Sequence, residues 1–100
     1  MILIYTKHPQ KGIDLLENII KDLKSKNKKY NFIYRGNGYM SQLQTEKEIW
    51  KIVPTNDRAR GFSWTKCYID IDIDKDFLNN IVLKSRDKKM EEWDMPMILK

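Results

Sequence analysis

The chain has 100 residues, 41% hydrophobic and 33% charged, with a formal net charge of +5 and a pI near 9.3. This length holds one domain, residues 1–100, with a real core but little stability in reserve. Three Trp, five Tyr and three Phe argue against disorder, the single Cys67 excludes an intrachain disulfide, and no apolar run approaches the roughly 20 residues of a membrane span.

Ile2-Leu-Ile-Tyr-Thr6 is a compact run of β-favouring apolar residues, the pattern of a strand covered on both faces. Lys7 to Gly12 breaks it, with Pro9 and Gly12 as punctuation. From Ile13 to Ser25 the spacing predicts a helix. Ile13, Leu16, Ile20 and Leu23 share one face, and Leu15 and Ile19 widen it. Lysines at 21, 24 and 26 suit the helix C-terminus, and Asn27 is a suitable stop. Tyr30 to Tyr34 then reads as a second strand. Strand, helix and strand with short links form a crossover unit, which predicts that the first two strands are parallel.

Arg35-Gly-Asn-Gly38 is a turn. Tyr39 to Thr45 and Glu48 to Val53 read as two short strands of a hairpin, in competition with a helical turn over 45–50. Pro54 to Asp74 is the central stretch: a polar, arginine-bearing loop, a turn at Gly61, and a strand ending in aspartates. From Trp64 the strand alternates. Thr65, Cys67, Ile69, Ile71 and Ile73 face one way; Trp64, Lys66, Tyr68, Asp70 and Asp72 face the other. Asp74 is placed to cap a short helix with Phe77, Leu78, Ile81 and Val82 inward. Lys84 to Lys89 is a charged connection, Pro96 ends any helix before it, and Met97 to Leu99 either adds an edge strand or frays.

Three groups of residues bear on chemistry. Asp70, Asp72 and Asp74 have the carboxylates of a cation site, but they fail as a calcium loop, because Lys75 and Ile81 stand where Gly and Glu are required. Asp70 and Asp72 remain weak metal candidates against the alternative of a solvated strand end. Arg58 and Arg60 beside Gly61, joined by Arg35, suit a phosphate or carboxylate; pairing with Asp57 and Asp70 is the competing reading. Trp64, Lys66 and Tyr68 interleave aromatic and basic groups, as a single-strand nucleic-acid platform requires, unless that face packs under a helix. His8 lacks a catalytic partner at a telling spacing, and Cys67 reads as a small buried hydrophobe. Lys11-Gly12 does not make a phosphate-binding loop, which needs more glycine.

In order, these pieces resemble the core of phage terminase and helicase-type ATPases. An apolar strand leads to a helix, and Arg58-Ala-Arg-Gly61 precedes the strand Cys67-Tyr-Ile-Asp70. The resemblance covers residues 1–74 and implies that Asp70 stands where the Walker B acid would be. The phosphate loop is missing, and Ile71 stands where the catalytic Glu would follow. The resemblance therefore implies a degenerate relative kept for binding, similar to small phage accessory proteins.

The expectation is a single small α/β domain, with a mixed β-sheet, a β-α-β unit at the N-terminus and helices packed on the sheet. The expected function is a non-enzymatic binding module without a cofactor. Its surface is Arg35, Arg58, Arg60, Trp64, Lys66 and Tyr68, and its partner is nucleic acid or a host or phage protein. Inhibition of a host or defence enzyme, and a nucleotide- or metal-dependent enzyme built on Asp70 and Asp72, are the alternatives. A cytoplasmic location, the host's for a phage-encoded protein, is expected, as monomer or as a homodimer paired by a sheet edge or by the Trp93–Leu99 tail.

Overall fold

The computed structural model describes residues 1–90, 92 and 94–100. Its strands are β1 (Ile2–Tyr5), β2 (Tyr30–Ile33), β3 (Gln42–Thr45), β4 (Ile49–Val53), β5 (Lys66–Ile69) and β6 (Met97–Ile98). They form one six-stranded sheet in the order β2-β3-β4-β1-β5-β6. β4 and β5 flank β1 in parallel, β6 runs parallel to β5, and β3 runs antiparallel to both β2 and β4. The sheet is therefore mixed and the domain is α/β, as expected.

β1 is buried along its whole length because it alternates between two cores. Leu3 and Tyr5 face one, with Val53, Cys67 and Ile69 of the neighbouring strands. Ile4 faces the other, with Leu43 and Ile52. Helix α1 (Pro9–Ser25) covers the second face with Ile13, Leu16 and Ile20. The first face is covered by the 54–65 connection, which contributes Ala59 and Trp64, and by helix α2 (Lys75–Phe77). The chain continues from α2 through a π-helical turn (Leu78–Val82) and a 3₁₀ turn (Leu83–Ser85), burying Phe77, Ile81 and Val82. Each such side chain contributes about 1.5–3 kcal/mol on burial.

α1 starts four residues earlier than its apolar spacing predicts. Pro9 takes a first-turn position, where its missing N–H is not needed. Gly12 lies inside the helix, where the chain approaches the sheet: a Cβ there would come within 2.9 Å of Ile52 Cδ1. The helix ends as expected at Asn27, whose φ of 58° is left-handed. Lys28 N–H reaches back to the Leu23 carbonyl and Asn27 N–H to that of Lys24, a Schellman closure.

β1 and β2 run in the same direction, as the crossover predicts, but they are not neighbours. The β3–β4 hairpin lies between them and puts β2 on the sheet edge. That hairpin forms without a tight-turn sequence because Thr45 supplies the turn. Its hydroxyl accepts the N–H groups of Lys47 and Glu48, and its own N–H donates to the Glu48 carbonyl.

The central strand is shorter than its alternation predicts. β5 stops at Ile69, and residues 70–73 make a turn in which Ile73 N–H donates to the Asp70 carbonyl. Ile71, expected on the same face as Cys67 and Ile69, is 82% exposed while those two are buried. Trp64 is also corrected. It precedes the strand, is 0% exposed, and packs in the same core as Cys67, so it offers no stacking platform. Its indole N–H donates to the Val82 carbonyl at 2.8 Å, tying the 54–65 connection to the second helical layer.

Asp74 caps α2 by accepting the Phe77 N–H. The Met97–Leu99 segment is ordered into the sheet: β6 pairs with β5, and Leu99 is buried with its N–H on the Ile69 carbonyl. Trp93, the anchor of the expected tail-mediated dimer, lies outside the described residues. No helix among the described residues is long and apolar enough to cross a membrane.

Trp64→Phe removes the indole donor from the buried Val82 carbonyl and opens space beside it. The expected cost is about 1–3 kcal/mol in urea-induced unfolding with an unchanged m value. Wild-type stability for this variant would contradict the assigned tie.

Candidate functional site

Ligands of open α/β sheets bind beyond the carboxyl ends of the parallel strands, and Asp70 lies at that edge. The register sets Tyr5 beside Ile69, which makes Thr6 and Asp70 neighbours just past β1 and β5. Asp70 is 4% exposed. Its Oδ1 accepts the Thr6 hydroxyl at 2.8 Å and its Oδ2 the Lys7 N–H at 2.8 Å. Thr6 Oγ1 in turn accepts the His8 N–H, and the Thr6 carbonyl accepts the Tyr39 hydroxyl. Burial, and secondarily the charge of Asp70, raise the Tyr39 pKa above that of an ordinary phenol.

This is a latch between two strands and the short link that leads into α1. Each Asp70 oxygen accepts one of these bonds, and bonds to a carboxylate are of the stronger, charge-assisted kind. The other two aspartates do not join it: Asp72 is exposed in the turn and Asp74 is the α2 cap. Among the described residues, no group of three His, Cys, Asp or Glu side chains is placed to hold a metal ion.

The structure separates the remaining predicted site residues. Lys66 lies at the opposite end of β5 from Asp70, with its Nζ 3.9 Å from Asp94. Tyr68 packs on the α1 side and stacks on Trp50 at 6.1 Å and 29°. Arg58 and Arg60 belong to the exposed turn after β4, where Arg60 Nε lies 3.4 Å from Asp57, one of the two pairings expected. Arg35 is exposed beyond β2, with its backbone N–H on the Ser41 hydroxyl. The alternating Trp-Lys-Tyr face therefore does not exist as a surface: its three residues belong to a core, a strand end and a helix-covered face.

A different basic surface is present. From Leu23 to Thr45 the chain has five cations, Lys24, Lys26, Lys28, Lys29 and Arg35, and no acid. All 14 acidic residues lie outside that segment, where they balance the other 14 of the 19 basic residues. The whole net charge of +5 therefore resides on the end of α1 and the β2–β3 edge. Lys26 also reaches Asp22 at 3.1 Å, an exposed pair that contributes little. Lys26, Lys28, Lys29 and Lys47, interleaved with Asp22, Glu46 and Glu48 and floored by the half-buried Trp50, line a groove of about 270 Å³ between α1 and the β3–β4 turn, so the unbalanced cations lie on its β2 side. On β2 and just after it, Tyr30, Ile33 and Tyr34 are 36%, 39% and 58% exposed. The signal of this surface in the sequence is a 23-residue gap in acidic residues, a property of charge distribution that no short motif carries.

No family model, curated protein or solved structure was found to match this chain.

Two outcomes follow from these placements. Asp70→Ala leaves the Thr6 hydroxyl and Lys7 N–H without their acceptor, and is expected to cost about 2 kcal/mol or more in chemical denaturation, with Asp70→Asn restoring part of it. Burial pushes the Cys67 thiol from 9.0 up to about 12. Its folded pKa lies above its unfolded one, so its contribution is complete below pH 9.0 and is lost as pH rises toward about 12. Buried Tyr5 is shifted in the same direction. Unfolding midpoints measured from pH 7 upward are expected to fall above about pH 9, and Cys67 is expected to resist thiol reagents until the protein unfolds.

Proposed function

We propose that this protein is a non-enzymatic binding module that holds an anionic macromolecule, nucleic acid or an acidic protein, on the basic edge formed by Lys24 to Arg35. The observation that carries this reading is the charge segregation. A chain otherwise balanced in charge concentrates its entire +5 beside exposed aromatic and aliphatic groups. Such a field raises the local concentration of anionic partners and speeds their encounter. Exposed Tyr30 and Tyr34 and the groove at Trp50 add the contact area that charge alone lacks.

The separation of the two carboxylates, Asp70 at 4% exposure and Asp72 exposed in the turn, favours this reading over the nucleotide- or metal-dependent enzyme, which would use both on one cation. An accessory role of the kind implied by the phage-protein resemblance, including inhibition of an enzyme by contact, fits a module of this sort.

The test is a fluorescence-polarisation titration against a single-stranded oligonucleotide and against polyglutamate over a range of salt. Binding to at least one is expected, with a log–log salt slope of about −2 to −4 for the oligonucleotide if most of the five cations engage phosphates. Lys28→Glu with Lys29→Glu is expected to abolish it, while Lys88→Glu with Lys89→Glu, the same charge change outside the surface, leaves most of it. Absence of binding to both probes at low salt would overturn the proposal.

A further inference from the structure

β2 is an edge strand, and its outer side is unpaired among the described residues. The ladder shows which of its backbone groups face outward. Ile52 N–H donates to the Ser41 carbonyl and Thr45 N–H to that of Glu48, so Ser41, Leu43 and Thr45 bond toward β4. Gln42 and Gln44 then bond toward β2, and their partners there are Ile33 and Asn31. The backbone N–H and C=O groups of Tyr30 and Phe32 consequently point away from the sheet. They form the template for one more strand.

The side chains around that template are selective. Alternation within β2 puts Asn31 and Ile33 on the face away from α1, and a cation flanks the strand at each end, Lys29 just before it at the α1 groove and Arg35 two residues after it. Lys28 adds charge at one end, and no acid occurs between Leu23 and Thr45. A second copy of this chain is the wrong occupant. Antiparallel pairing of two β2 strands centred on Phe32 sets Lys29 of each copy against Arg35 of the other, and like charges directly opposite are destabilising. Nucleic acid satisfies the charges but has no backbone ladder to match the outward amides.

We propose that β2 accepts an extended acidic polypeptide segment as an added antiparallel strand. Carboxylates at the first and seventh positions of that segment lie opposite Arg35 and Lys29, and an apolar residue at its third position lies against Ile33. The span between the two cations, six residues at about 3.3 Å each, sets this spacing. Backbone bonds supply the affinity and the terminal charges the choice of partner, the mode known as β-augmentation. This inference rests on the binding-module reading and names its partner class.

The test is selection from a peptide-display library of random nonamers against the intact protein, followed by synthetic versions of the winners. The expected winners contain two acids six residues apart with β-favouring residues between. Triple reversal by Lys28→Glu, Lys29→Glu and Arg35→Glu should weaken them about tenfold or more. N-methylation of alternate peptide nitrogens should weaken them about tenfold in one register and under about twofold in the other, because one set faces the edge. Winners without the acid spacing, or with equal sensitivity to N-methylation in both registers, would overturn the added strand. If no peptide is enriched but the oligonucleotide binds through the same cations, this inference fails and the binding module stands. If no anionic probe binds at all, both fail.

Discussion

A carboxylate buried to 4% exposure is costly unless hydrogen bonds replace its water. Asp70 meets that constraint by taking the Thr6 hydroxyl and the Lys7 amide, and much of the topology follows from it. The latch fixes β5 against β1 at their carboxyl ends, sets the direction in which the chain leaves β1 for α1, and ends β5 where alternation alone would have continued it. It also brings the Tyr39 loop over the strand end through the Thr6 carbonyl. The position that suggests a catalytic acid is held here by the fold itself.

Around that fixed centre the two layers differ in kind. The α1 layer is a regular amphipathic helix, and its glycine allows close contact with Ile52. The opposite layer is assembled from a coil, a π-helical turn and a 3₁₀ turn, held together by the Trp64 indole on the Val82 carbonyl. Neither layer covers the β2–β3 edge completely, and there the uncompensated cations gather. Charge on an edge strand discourages pairing between copies, since identical edges repel. In the proposed binding mode the same charge would attract an acidic segment, so protection from self-association and recognition of a partner would come from one set of residues.

Much of the architecture was legible in the sequence because it depends on local periodicity. The two-sided burial of β1, the face of α1, the Asn27 stop, the Asp74 cap and the hairpin over 39–53 each follow from residues close together in the chain. The candidate surface was less legible. Arg58, Arg60, Lys66, Trp64 and Tyr68 are neighbours in sequence, and the fold distributes them among an exposed turn, a strand end and two different cores. The alternation runs over the ten residues from Trp64 to Ile73, because Ile71 and Ile73 continue it, but the strand has four. The long-range bond from Asp70 to Thr6, 64 residues away, stops it.

By itself the sequence determined the composition of the layers and the location of the net charge, since both are properties of residue order and count. Tertiary structure decided which strand lies on the edge, which aromatic residues are enclosed, and how Asp70 is used. Those outcomes depend on pairings between segments far apart in the chain, where backbone hydrogen bonds and packing override the local pattern. The hairpin inserted between β1 and β2 is what turns Lys28 to Arg35 from a charged stretch of chain into an exposed basic edge.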